Sequence, residues 1–421
     1  MSKPTKAPEK APEQRKLSLA SVVIALTMVV FACICGVLLG LFAPALGNSF
    51  NGMRLSAQKR YTEAASAYNK VSTELSTAQE KLSSILQPEN LRGVEYRELW
   101  AYSRISPLQC GSLLTSEYTA EQMEEFPYRK LKDYYDGYNV WSQAMTTFDT
   151  AMSPYVNEEQ TAYENIDRDE IFQYLDSCAS TMPSWAMAVF KNYISAMVGD
   201  SAELRLTYFD EAIKSNDGID EYAYSIVPIY VELEKWDELA ALYERKIKIN
   251  RNDSDAFLGL GKVAIVRGED KELAKVLKRA EKYVGKSGVP QSLRIEQLRR
   301  LEQYDDATKI YVDYSTEQEK LGSGSFYEAM RQYAIVLLLQ GDYASAHEYA
   351  YSAAVNQPEN GGDYSDAAYY LVCLTAELSG DTEMIEQYGL EVNAAGRAIV
   401  DAADKQAAIK AQFLSGRGDI V

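Results

Sequence analysis

The most constraining feature of this chain is a spacing. Trp236, Leu239, Tyr243 and Lys246 form an amphipathic pattern, and Leu273, Leu277 and Ala280 repeat its last three positions 34 residues on. Ala307, Tyr311 and Tyr314 repeat them again after another 34. Glu234, Gly268 and Glu302 occupy the place just before each pattern, at the same interval. The next two steps are 39 residues, through Gly341, Ala346, Ala350 and Ala353 to Gly380, Ile385, Gly389 and Val392. Gly322-Ser323-Gly324-Ser325 accounts for the extra length of the first long step as an inserted loop. Spacings of three and four residues inside each pattern are helical. A unit of about 34 residues holds two helices and buries too little apolar surface to fold alone, so neighbours must stack into a curved array. Small residues such as Ala346 and Ala353 let paired helices approach, and Tyr243, Tyr311 and Leu277 fill the layers between units. No sustained alternation of period two is present, which predicts little or no sheet.

The fourth unit, with Gly341-Asp342-Tyr343, Ala346, Tyr349-Ala350, Ala353 and Pro358, resembles the tetratricopeptide repeat (TPR) family. The second unit supplies Phe257, Leu260-Gly261 and Gly268 in the matching places. The first and third depart from the family pattern by carrying Glu at the turn glycine, and the third lacks the first-helix signature. The resemblance covers about residues 220–395, and Phe209 and Ala212 are remnants of an earlier copy. It implies an all-α, TPR-like helical-repeat superhelix that binds other proteins, with ligands lying against the first helix of each hairpin. Carried onto this sequence, the family's groove positions are Tyr224, Glu232, Lys262, Arg299, Arg300, Arg331 and Tyr370, set among Leu258, Ile265, Leu338, Leu339 and Leu374. The lysine/asparagine clamp of some members is not recognisable. A basic patch in a chain of net charge -18 would draw an acidic segment by its local field.

The N-terminal half carries the pattern twice, as Tyr61, Ala64, Tyr68 and Val71, and as Trp141, Ala144, Phe148 and Ala151. Pro88, Pro107, Pro127, Pro154 and Pro183 interrupt it, since proline lacks the amide hydrogen a helix needs. The expectation is a divergent helical region over 47–200, a repeat array over 201–395, and a closing helix and tail over 396–421. Residues 96–163 are rich in tyrosine and tryptophan, Trp100 and Trp141 among them, and rings of this kind stack on sugars. This supports an alternative reading as a surface-attached module that binds glycan or cell wall.

Leu17 to Leu46 contains no charged residue. As a helix it would reach about 45 Å, against a hydrocarbon core of about 30 Å. It reads as a single transmembrane helix, with Pro44 marking its far end. A cleaved signal peptide is the competing reading, from Ala43-Pro44-Ala45, but such a segment has a shorter apolar stretch. A lipoprotein cysteine at Cys33 is weaker, because Phe31 is bulky for its slot. Residues 1–16 carry a net charge of +3 and three prolines, a solvated basic tail. Five Lys and Arg precede the span and three follow it within fifteen residues. That bias places the tail in the cytoplasm and the bulk of the chain outside. Membrane-complex subunits are therefore among the expected partners.

Chemistry is sparse. The acidic balance excludes nucleic acid as the main partner. One histidine and five scattered cysteines offer no metal or disulfide framework, and His347 has no nucleophile at motif spacing. Gly285-Lys286-Ser287 imitates a phosphate loop without its first glycine, and Gly259-Leu260-Gly261 fits a loose dinucleotide pattern inside a helix. Asp167 and Asp169 lack the rest of a calcium loop, and Arg417-Gly418-Asp419 is a short adhesion-like tripeptide. The expectation is a non-enzymatic scaffold with no cofactor.

Overall fold

A computed structural model describes residues 42–81, 92–124, 129–160, 162–215, 223–321, 326–356, 366–381, 385 and 392–414. The expected span over 17–46 lies outside these residues except for 42–46, which open a helix, α1, running over 42–57 and containing Pro44. Among the described residues no helix is long and apolar enough to cross a membrane.

Helices dominate. After α1 come α2 (Tyr61–Lys81), α3 (Arg92–Tyr102), α4 (Pro107–Glu117), α5 (Ala120–Glu124), α6 (Arg129–Met152), α7 (Arg168–Ser177), α8 (Ser184–Met197) and α9 (Ala202–Ser215). Then follow α10 (Val227–Glu232), α11 (Trp236–Ile249), α12 (Ser254–Val266), α13 (Asp270–Val284), α14 (Val289–Arg300), α15 (Tyr304–Lys320), α16 (Tyr327–Gln340), α17 (Tyr343–Val355) and α18 (Asp366–Ser379). Two short helices close the described chain, α19 (Ala394–Val400) and α20 (Lys405–Leu414). Among the described residues the only β pairing is an isolated bridge between Val156 and Tyr163.

The proline positions follow from their missing amide hydrogen. Pro107 and Pro290 sit in the first turns of α4 and α14, and Pro183 is the N-cap of α8, where no helical donor is lost. Pro88 and Pro127 lie outside the described residues.

The 34-residue period, with its 39-residue step into the fourth unit, becomes α10/α11, α12/α13, α14/α15 and α16/α17, consecutive antiparallel pairs whose first helices also touch, α12 to α14 and α14 to α16. Second helices keep one apolar stripe. In α13 that stripe is Leu273, Val276, Ala280 and Val284, and lysines and glutamates cover the rest. The first helices are walled in by layers on several sides. Residues 256–264 of α12 and 328–339 of α16 are buried without interruption. Glycines permit this closeness. A Cβ on Gly259 would stand 2.2 Å from the Tyr243 ring, and one on Gly261 would stand 2.4 Å from Leu293. The dinucleotide-like Gly259-Leu260-Gly261 is therefore a packing seam, and Lys286 falls in the turn between α13 and α14.

The same logic extends towards the N-terminus. Tyr61, Ala64, Tyr68 and Val71 are the buried face of α2, and a Cβ on Gly52 of α1 would meet the Tyr68 ring at 2.6 Å. Trp141 of α6 stacks on Trp185 and Phe190 of α8, with ring centres 5.2 and 5.3 Å apart. Trp100 packs edge-on to Tyr61 at 5.6 Å, with the Arg104 guanidinium over its ring. Both tryptophans of the glycan reading thus serve inter-helix packing.

Candidate partner-binding groove

The first helices α14 and α16 form one wall, and that wall is covered. After α19 packs on α18, the chain turns back and lays α20 across α14 and α16. Ile409 and Phe413 sink from α20 into the core built by α14 to α18. They lie four residues apart, on one helical face. Polar residues then fix the register. The Gln406 amide donates to the Leu338 carbonyl (3.3 Å) and to the Tyr343 hydroxyl (3.0 Å). Tyr370 of α18 donates to the Gln412 side chain at 2.9 Å, and Lys410 pairs with Glu302 at 2.7 Å.

The decisive anchor is Arg299. Its side chain is 0% exposed, and it donates to the Phe413 carbonyl at the C-terminal end of α20. A cation there meets the negative end of the helix dipole. Its Nε donates to Gln332 Oε1 at 3.1 Å. The Gln332 amide donates in turn to Glu328 at 3.1 Å, and Glu328 holds Lys262 at 2.9 Å and Arg331 at 2.8 Å. A continuous polar chain thus joins α12, α16, α14 and α20. Burial alone would raise the Glu328 carboxyl, but the Arg331 and Lys262 charges outweigh it and hold it well below the usual carboxylate range.

Of the residues expected to line a groove, Lys262, Arg299, Arg331 and Tyr370 come together, though not as an exposed basic patch. Lys262 and Arg331 are each 6% exposed and share the Glu328 carboxylate. Arg300 is bound to Glu296 one turn back at 2.9 Å. The cations expected to attract an acidic segment are instead engaged internally, two by Glu328, one by Glu296 and Arg299 by carbonyl oxygens, because α12, α14 and α16 stack closely. Glu232 lies elsewhere, exposed and paired with Arg205 of α9 at 2.6 Å. Tyr224 belongs to a short 3-10 turn, Ala223–Ile226. The residues missed from sequence are Glu328, Gln332, Gln406 and Gln412. Glu328 had one visible signal, its spacing of three from Arg331 on a helix.

Other candidates have structural places. Asp167 is the N-cap of α7, accepting from the amides of Asp169 and Glu170. His347 is buried beside Thr375. Arg417-Gly418-Asp419 lies outside the described residues.

No family model and no curated protein matches this sequence. Among solved structures the chain is similar to the crystal structure of the yeast Tom70, at 12% identity and a TM-score of 0.37, covering 88% of this chain and 94% of that one. So loose a likeness carries no more than a general resemblance, and the helical-repeat character rests on the paired, stacked helices themselves.

Proposed function

We propose that this protein is a non-catalytic interaction scaffold whose groove of first helices receives an amphipathic helix from a partner protein. The observation supporting this reading is α20, which sits on α14 and α16 as a docked helical ligand would, with two apolar anchors and a buried arginine capping its end. Helix-in-groove recognition uses the same elements, apolar side chains at helical spacing and polar contacts that set register. The partner segment is then a helix with two large apolar residues four apart and an unpaired main-chain carbonyl in its last turn for Arg299 to cap. The uncharged run over 17–46 tethers the scaffold to a membrane, and the basic tail lies on the cytoplasmic side. Membrane-complex subunits are the natural partners of a scaffold held there.

The test is a chain ending at residue 402, compared with the full chain. A labelled synthetic peptide spanning 403–416 should bind the truncated protein and be excluded from the full chain. R299M should weaken that binding by about tenfold, the scale of one charge-assisted hydrogen bond. A truncated protein that is helical by circular dichroism yet ignores the peptide would sink the groove reading. Protease digestion of sealed vesicles tests the tether separately, since the large C-terminal part should be cut only from the outer side.

A further inference from the structure

Two of the second helices, α11 and α13, form a cleft of opposite character to the acidic whole. This cleft, of about 570 Å3, is lined by Glu244, Arg245, Ile247, Lys248, Arg251, Arg279 and Tyr283. That is four cations against one carboxylate, in a chain of net charge -18. The carboxylate is engaged, because both Arg279 terminal nitrogens donate to Glu244, at 2.5 and 3.0 Å. This pairing also fixes the Arg279 fork in direction. Arg251 lies over the Tyr283 ring at 5.8 Å from its centre, and Lys282 lies over the same ring at 5.1 Å.

The loop carrying Arg251 is held from both sides. The Asn252 side-chain amide donates to the Tyr283 carbonyl at 2.9 Å and to Glu63 at 3.0 Å. The Arg251 amide donates to the Lys59 carbonyl at 2.8 Å. Lys59 Nζ reaches the Lys248 carbonyl at 3.1 Å, capping the end of α11 and adding a cation at the rim. The turn between α1 and α2, 189 residues away in sequence, thus buttresses the cleft.

We propose that this cleft is a binding site for a phosphate group. Guanidinium forks and ammonium groups converging from two helices and a braced loop match an acceptor with several charged oxygens. Their summed field concentrates such anions locally, against the charge of the rest of the chain. A free polyphosphate and an anionic lipid headgroup share this chemistry. α1 leads from the end of the uncharged run to Lys59, so the membrane tether proposed above makes a headgroup one source of this chemistry.

The experiment is calorimetric titration of the detergent-solubilised full chain at about 0.15 M salt, where weak surface attraction is screened. The probes are tripolyphosphate, dioctanoyl phosphatidylglycerol and dioctanoyl phosphatidylcholine. Wild-type protein should bind at least one of the first two and not the third. Tripolyphosphate alone identifies a free anion as the ligand, and binding of the glycerol lipid identifies a headgroup. K248E/R251E should weaken binding by about tenfold or more. K309E/K320E, the same charge change on α15, should leave it unaltered. Circular dichroism checks folding, and K248E alone serves if the pair disturbs it. Failure of wild type to bind either anion, or equal binding by K248E/R251E, would overturn the proposal.

Discussion

Five backbone positions decide whether the hairpins can close. Glu234, Gly268, Glu302, Gly341 and Gly380 all have positive φ, at 53°, 66°, 57°, 84° and 75°. The sequence shows glycine at only three of them, so Glu234 and Glu302 read there as departures from the pattern. The hairpin nonetheless imposes the left-handed conformation, which costs a side-chain-bearing residue about 1–2 kcal/mol. Nothing lies within 4 Å of a Cβ placed on Gly268, so Gly268→Ala tests backbone strain alone and should lose about 1 kcal/mol in chemical denaturation. Glu234→Gly should move the other way, by about 0.5–1 kcal/mol once the flexibility gained by the unfolded chain is subtracted. His347 is the other residue with a readable consequence. Its Nδ1 lies 3.1 Å from the Thr375 hydroxyl. Burial lowers its pKa below the ordinary 6.5, with the Asp381 carboxylate opposing. The unfolded chain therefore takes up this proton first as the pH falls, and stability declines below about pH 6.5. In His347→Gln, which keeps a polar partner for Thr375, the slope of unfolding free energy against pH between 7 and 5 should flatten.

At the scale of elements, α16 shows where sequence reading runs out. Periodicity correctly makes it a first helix, and first helices line the groove of the family this chain resembles. From that alone Arg331 reads as a surface cation. What the period cannot convey is how closely α12 and α14 approach, and that approach turns Lys262, Glu328 and Arg331 into a buried cluster. The i to i+3 spacing of Glu328 and Arg331 is visible in sequence, whereas the reach of Lys262 across 66 positions is not. Removing the shared carboxylate leaves two buried cations without it. Glu328→Gln should therefore cost about 3–5 kcal/mol, the penalty of an uncompensated buried charge. The triple change to methionine at Lys262, Glu328 and Arg331 should recover most of that loss, because the packing volume is kept and no charge remains to be desolvated. Equal thermal stability of Glu328→Gln and wild type would mean that water reaches the cluster.

For the whole molecule, the 34- and 39-residue steps give away α10 to α17 because stacked units must repeat their contacts. The N-terminal half has two isolated patterns and no period, so only its helical nature is legible. The return of α20 onto α14 and α16 is a single event with no repeat to announce it. These differences have a thermodynamic counterpart. Buried side chains fall into separate clusters, one around Phe148, Phe190 and Ile194, another around Leu239, Phe257 and Leu293, and a third around Ile335, Leu338 and Leu374. Neighbouring clusters share few residues. Trp185 and Val189 belong to the first and second, and Phe326 to the second and third. In such an array stability is a sum of local terms and neighbour interfaces, so damage should fade with distance along the stack. Phe190→Ala removes a ring stacked 4.4 Å from Phe148 and should cost about 3–5 kcal/mol locally. Hydrogen exchange followed by mass spectrometry should then show faster exchange in α6 to α8, a smaller effect in α9 to α11, and none in α16 to α18. Leu338→Ala should give the mirror image, with faster exchange reaching α20, because the lost side chain belongs to the cluster into which Ile409 and Phe413 sink. Uniform acceleration along the chain in either variant would mean that the stack unfolds as one unit, coupled through Trp185, Val189, Phe326 and the Lys262–Glu328 pair.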